Sequence, residues 1–122
     1  MTTSLTRGQW AEELAQTYLY QQGLQPLEHN YRCKAGEIDL VMFEQSTLVF
    51  IEVRYRRSQR YGGSLESIDL KKQHRIMTTA SHYLLTHQWA QNYPCRFDVV
   101  LISGIINNPQ MHWIADAFRM EG

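Results

Sequence analysis

Two apolar runs limit most tightly what this chain can fold into: residues 36–43 and residues 48–54, separated by Glu44, Gln45, Ser46 and Thr47. Strand-length apolar runs around a short polar cluster read as a β-hairpin. A turn centred in that cluster sets Phe43 opposite Leu48, Val41 opposite Phe50, Asp39 opposite Glu52 and Glu37 opposite Arg54. Side chains alternate faces along a strand, so these residues share one surface. Ile38, Leu40, Met42, Val49, Ile51 and Val53 then form the other surface, which is wholly apolar and must be buried.

Carboxylates placed directly opposite one another destabilise a strand pair, and one of them tends to keep its proton. A hard divalent cation relieves both problems, because Asp and Glu oxygens are the ligands Mg²⁺ and its relatives take. The plainer alternative is a solvated sheet end in which Arg54 pairs with Glu37 or Glu52. The turn carries no Asn-Gly or Asp-Gly signal, and a slip of one residue would separate Asp39 from Glu52.

The remaining chain is read around this hairpin. Residues 5–22 form a first helix with an apolar stripe of Trp10, Ala11, Leu14, Ala15, Tyr18 and Leu19. Ser4 or Thr6 can cap it, and Gly23 stands where a helix ends. Residues 24–31 are a strand interrupted by Pro26, hence at a sheet edge. A second helix over residues 65–87 buries Ile68, Ile76, Ala80, Tyr83 and Leu84. Residues 96–102 are an apolar strand suited to the sheet interior, and residues 111–118 hold a last strand after the turn at Asn107, Asn108 and Pro109. The predicted fold class is α/β: a mixed five-stranded sheet with a helix on either side, in the order α-β-β-β-α-β-β, as a single domain over residues 1–122.

With 122 residues, 43% hydrophobic and 20% charged, the composition is that of a globular domain. The opening residues lack the apolar run of a signal peptide, and no run is long enough to span a bilayer. Cys33 and Cys95 have no partners at metal-finger spacing and read as free thiols, so the expected location is cytoplasmic. The formal net charge is zero, yet residues 54–75 hold seven basic side chains (Arg54, Arg56, Arg57, Arg60, Lys71, Lys72, Arg75) against two acidic ones. Such a patch attracts phosphate even on a neutral molecule; the alternative is an ordinary solvated loop and helix face. Cations near the start of the second helix oppose its dipole, which is a reason to look for a phosphate there.

In order along the chain stand Ala11-Glu12 with Ala15, Asn30-Tyr31-Arg32, Gly36-Glu37-Ile38-Asp39-Leu40, Phe50-Ile51-Glu52-Val53-Arg54 with Arg56, Lys72-Gln73 with Arg75, and Arg96-Phe97-Asp98-Val99. Together these resemble the bacterial YraN family, which is similar in turn to Holliday-junction resolvases and to the restriction endonuclease-like fold with its PD-(D/E)xK motif. The resemblance implies a restriction endonuclease-like core in which Asp39 and Glu52 are the motif acids and Glu12 the helix acid. These three would hold Mg²⁺ or Mn²⁺. Arg54 stands in the lysine position, with Glu37 given no firm role.

Arg54 is a departure from that pattern. A lysine can lose its proton and help a water attack, whereas an arginine stays charged and only clamps phosphate or pairs with a carboxylate. Three outcomes stay open: Arg54 stabilises the phosphoryl transition state, Lys71 or Lys72 reaches in as a relocated lysine, or the site binds without cleaving. The expected function is therefore an endonuclease-like, nucleic-acid-binding protein, with Mg²⁺-dependent phosphodiester hydrolysis on branched or damaged DNA. Its catalytic residues are Asp39, Glu52 and Arg54, and Arg56, Arg57, Arg60, Lys71, Lys72 and Arg75 contact the backbone. The alternative is a non-catalytic nucleic-acid-binding or adaptor module on a degenerate site. No membrane partner is expected, and the likeness to resolvases carries a homodimer as an expectation.

Overall fold

The structure is a computed structural model that describes residues 5–57 and 68–119. Expectations placed on Ser4, on Arg60 and on the helical start at residues 65–67 lie outside the described residues.

The chain runs α1 (Arg7–Gln21), β1 (Gln25–Cys33), β2 (Gly36–Glu44), β3 (Thr47–Arg56), α2 (Leu70–Thr86), a 3₁₀ turn (Gln88–Asn92), β4 (Cys95–Ser103) and β5 (Gln110–Phe118). The five strands form one sheet in the order β1-β2-β3-β4-β5. β3 and β4 are parallel and the other pairs antiparallel, so the sheet is mixed. The parallel pair requires a long crossover, and α2 lies within it. Among the described residues, no helix is long and apolar enough to cross a membrane.

Thr6 is the cap of α1. Its hydroxyl accepts the Gln9 N–H at 3.1 Å while the Gln9 side chain accepts the Thr6 N–H at 3.0 Å, a reciprocal capping box. The helix lays Ala11, Ala15 and Leu19 on one sheet face against Leu40, Met42, Val49, Ile51, Val100 and Ile102. On the opposite face α2 packs Ile76, Met77, Ala80 and Tyr83 against Val41, Leu48, Phe50, Phe97, Val99 and Leu101. A sheet covered on both faces explains strands that are apolar on both sides.

The hairpin register is the expected one from Glu44↔Thr47 through Phe43↔Leu48 and Val41↔Phe50 to Leu40↔Ile51. Gln45 and Ser46 both have positive φ, 44° and 73°, the two-residue turn that matches strand twist even without Asn-Gly. A register slip would exchange two buried apolar faces for each other, so packing holds what turn chemistry does not.

Three expectations need correction. The ladder ends at Leu40↔Ile51, so Asp39 and Glu52 are not ladder partners and Glu37 and Arg54 do not face each other; Glu37 pairs with Arg32 on the neighbouring strand. Ile38 packs with Val41 on the α2 face rather than with Leu40 on the α1 face. The alternation breaks where Asn30 of β1, between Tyr31↔Ile38 and His29↔Leu40, has φ 53°. The second helix also starts later than expected, at Leu70, because Asp69 caps it by accepting the Lys72 N–H at 2.8 Å. Ile68 is still buried, but from the chain leading into the cap.

Candidate active site

Where the β2–β3 ladder stops, side chains replace backbone partners. Asp39 Oδ2 accepts the Val53 N–H at 2.8 Å, satisfying a donor that would otherwise seek a strand carbonyl. This bond fixes the Asp39 carboxyl between both sheet faces. Towards α1 it meets Glu12 and Glu37, and one oxygen from each of the three carboxylates lies within 4.8 Å of the others. Towards α2 it meets Glu52. Asp39 is thus the hinge of a four-carboxylate cluster.

The electrostatics follow from crowding and burial. Burial, then the charge of Asp39, push Glu12 up to about 7, against an opposing hydrogen bond from Asn30. The same two causes, in the same order, push Glu52 up to about 8, although Arg54 and Lys72 pull the other way. Burial also raises Asp39, opposed by the Val53 N–H and by hydrogen bonds from Glu52 and Glu12. Acids this close share protons near neutral pH.

Cations close the other side. Arg54 Nε lies 3.1 Å and Lys72 Nζ 3.8 Å from the same Glu52 oxygen. Together with Arg75, Gly36, Glu37, Asp39, Val53 and Ile76 they line a cleft of about 260 Å³. Arg54 Nε is buried and, among the described residues, has no well-aligned hydrogen-bond acceptor. Lys72 stands in the first turn of α2, where the Asp69 cap supplies the compensating negative charge. The start of β2 approaches α2 so closely that a Cβ on Gly36 would stand 3.3 Å from Thr79 Oγ1, and only glycine leaves that space.

The structure brings together Glu12, Asp39, Glu52, Arg54, Lys72 and Arg75. Among the described residues, it does not bring in Arg56, Arg57 or Lys71. Lys71 and Arg56 are exposed, and Arg57 lines a separate hollow with Arg7, Tyr55, Ile105, Ile106 and Asn107. Glu37 is the carboxylate that sequence reasoning left without a role; its spacing two residues before Asp39 on one strand was the available signal. A larger hollow of about 750 Å³, between α2 and β5, holds no acidic cluster. Asp98 shows what a purely structural acid looks like here. It is fully buried and accepts from Arg96 at 3.0 Å, the Trp113 indole at 2.9 Å and the Asp116 N–H at 2.9 Å.

The donor set suits a divalent cation. Carboxylate oxygens from α1 and β2 converge without histidine or thiolate, which is a hard-ion environment. Glu12, Glu37 and Asp39 could hold such an ion, with Glu52 on the far side of Asp39.

Comparison with known sequences agrees with the motif reading. A family model described as "Uncharacterised protein family UPF0102" matches residues 11–102. The UPF0102 protein of Nitrosococcus oceani is 48% identical over 119 residues, covering 98% of this chain and 96% of that protein. Its counterpart in Nitrosomonas europaea is 50% identical over 118 residues, 97% of this chain and 98% of its own length. That of Stutzerimonas stutzeri is 45% identical over 120 residues, or 98% and 99%. The matched segment runs from α1 through β4 and contains Glu12, Glu37, Asp39, Glu52, Arg54 and Lys72, and on this footing the chain belongs to the UPF0102, or YraN, family.

Proposed function

We propose that this protein binds nucleic acid through the cleft beside Asp39 and Glu52 and acts as a Mg²⁺- or Mn²⁺-dependent phosphodiesterase on branched or damaged DNA. The observation that carries the reading is the junction of opposite charges. Carboxylates able to hold a cation stand directly against Arg54, Lys72 and Arg75, which are suited to a phosphate. Ion-pair networks made for stability neutralise their acids; this one leaves Glu12 and Glu52 pushed up to about 7 and about 8.

In this reading Asp39, Glu12 and Glu37 hold the ion, and Glu52 completes the carboxylate wall. A bound divalent ion stabilises charge on the phosphoryl oxygens and makes water more acidic. Arg54 and Arg75 orient the phosphate. Lys72, with its ammonium 3.8 Å from the Glu52 carboxyl, stands at the cleft as a relocated lysine, whereas Arg54 serves only as a charged clamp. Phosphate contacts of this kind fix the position of a strand without reading its sequence.

The test is hydrolysis of branched, single-stranded and continuous duplex substrates with Mg²⁺ or Mn²⁺, for wild type, Glu52→Gln, Arg54→Lys and Lys72→Met. Metal-dependent cleavage by wild type, lost in Glu52→Gln and reduced at least about 100-fold in Lys72→Met, is expected. A wild-type protein that binds these substrates but leaves them intact in either metal would leave the adaptor reading. The Arg54–Glu52 ion pair is the observation that favours that alternative.

A further inference from the structure

The loop between β4 and β5 carries Ile105 and Ile106, 55% and 50% exposed side by side at its tip. It is not a slack loop. Gly104 donates its N–H to Arg56 O at 3.1 Å, Tyr55 Oη donates to Gly104 O at 2.7 Å, and the Asn108 N–H returns to Ile105 O at 3.0 Å. A fixed backbone therefore presents two β-branched apolar side chains to solvent, at a cost that burial would repay.

Its surroundings say what would cover it. The tip shares a hollow of about 170 Å³ with the guanidinium residues Arg7 and Arg57 and with Tyr55, and Arg56 is exposed nearby on the end of β3. An apolar tip ringed by cations fits a polyanion that also offers apolar faces, and a nucleic acid with an opened base step is one. The sheet register points the same way. Glu52 is level with Val99, Arg54 with Leu101 and Arg56 with Ser103 on parallel strands, so the loop leaves the sheet at the same end as the cleft. At about 3.3 Å per residue, Ile105 stands roughly 15–20 Å beyond Glu52, about five base pairs along a duplex axis.

We infer that Ile105 and Ile106 form a wedge that enters an opened base step of a branched or interrupted duplex, while a phosphate about five base pairs away along the duplex axis lies in the cleft. Apolar wedges of this type must unstack an intact duplex, whereas a junction, nick or gap already offers an opened step. The loop would then be the element that prefers structured DNA over continuous duplex, and the inference rests on the nucleic-acid reading of the cleft.

The experiment compares wild type, I105S/I106S and Ile106→Leu on three DNAs of equal length: a four-way junction, a gapped duplex and a continuous duplex. All carry 2-aminopurine at the central step, with EDTA present to separate binding from hydrolysis. Thermal unfolding serves as the fold control. The expected result is about tenfold weaker binding of the junction and gapped duplex by I105S/I106S, and loss of the 2-aminopurine signal. Continuous-duplex affinity and the slope against log salt should be unchanged, with Ile106→Leu behaving as wild type. Equal affinity of wild type and I105S/I106S for all three DNAs overturns the wedge but leaves the cleft reading intact. Absence of DNA binding by wild type overturns both. Binding of anionic phospholipid vesicles that falls in I105S/I106S while DNA binding holds would assign the tip to a membrane surface and overturn the wedge.

Discussion

Replacing Asp39 with Asn should stabilise the metal-free protein at alkaline pH, the reverse of what a buried, hydrogen-bonded carboxylate usually shows. The amide oxygen can still accept the Val53 N–H, which Asp39 takes at 2.8 Å, so the strand end keeps its partner. What disappears is the charge that helps hold Glu12 at about 7 and Glu52 at about 8, from ordinary values of 4.5. A carboxyl that binds its proton more tightly when folded favours the folded state at low pH. That stability is complete below about pH 4.5 and drains as pH rises through about 7 and then about 8. For Glu52, moving from 4.5 to about 8 corresponds to roughly 4–5 kcal/mol over that window. Glu12 is more exposed and contributes less, because water screens it. Burial outweighs the charge of Asp39 as the cause, so Asp39→Asn recovers a minority, about 1–2 kcal/mol at pH 8. Urea unfolding in EDTA, followed by tryptophan fluorescence at pH 5 and pH 8, measures this directly. A variant less stable than wild type by the same margin at both pH values would show that Asp39 is only a structural acceptor.

The other consequences are separate. Loading Mn²⁺ at pH 7 should release on the order of one proton per ion, because the carboxyls that would face it are partly protonated; calorimetry in buffers of different ionisation enthalpy counts it. Gly36→Ala should destabilise by about 1–3 kcal/mol in urea, since the new methyl meets Thr79 Oγ1 at 3.3 Å across the β2–α2 approach. Asp98→Ala should cost about 3–5 kcal/mol by stranding Arg96 and the Trp113 and Asp116 donors, and the folded fraction should still bind Mn²⁺ as wild type does.

The hairpin was readable because two apolar faces, Val41/Leu48/Phe50 and Leu40/Met42/Val49/Ile51, each demand burial, and the choice of register then rests on how those faces pack. Where that demand lapses, so did the reading. Beyond Leu40 the charged Asp39 and Glu37 alternate with Ile38, the ladder opens, and extrapolation wrongly set Glu37 against Arg54. That error hid Glu37 as a neighbour of Glu12 and Asp39. The positive φ of Asn30, which accompanies the break in alternation next to Asp39, has no sequence signature beyond asparagine's tolerance for it. The late start of α2 was legible in principle: Asp69 is an ordinary helix cap. The basic run was visible as charge but not as a surface. Arg54 lines the cleft from within β3, while Arg57, just past the end of that strand, lines the hollow beside Ile105.

The central claim is that the carboxylates gathered around Asp39 hold a divalent cation. Electron paramagnetic resonance of Mn²⁺ titrated into the protein at pH 7.5 counts bound ions without any substrate. Saturable binding is expected in wild type, lost in Asp39→Ala, sharply weakened in Glu37→Gln and retained in Lys71→Ala. Binding that is absent from wild type, or unchanged in Asp39→Ala, would contradict it.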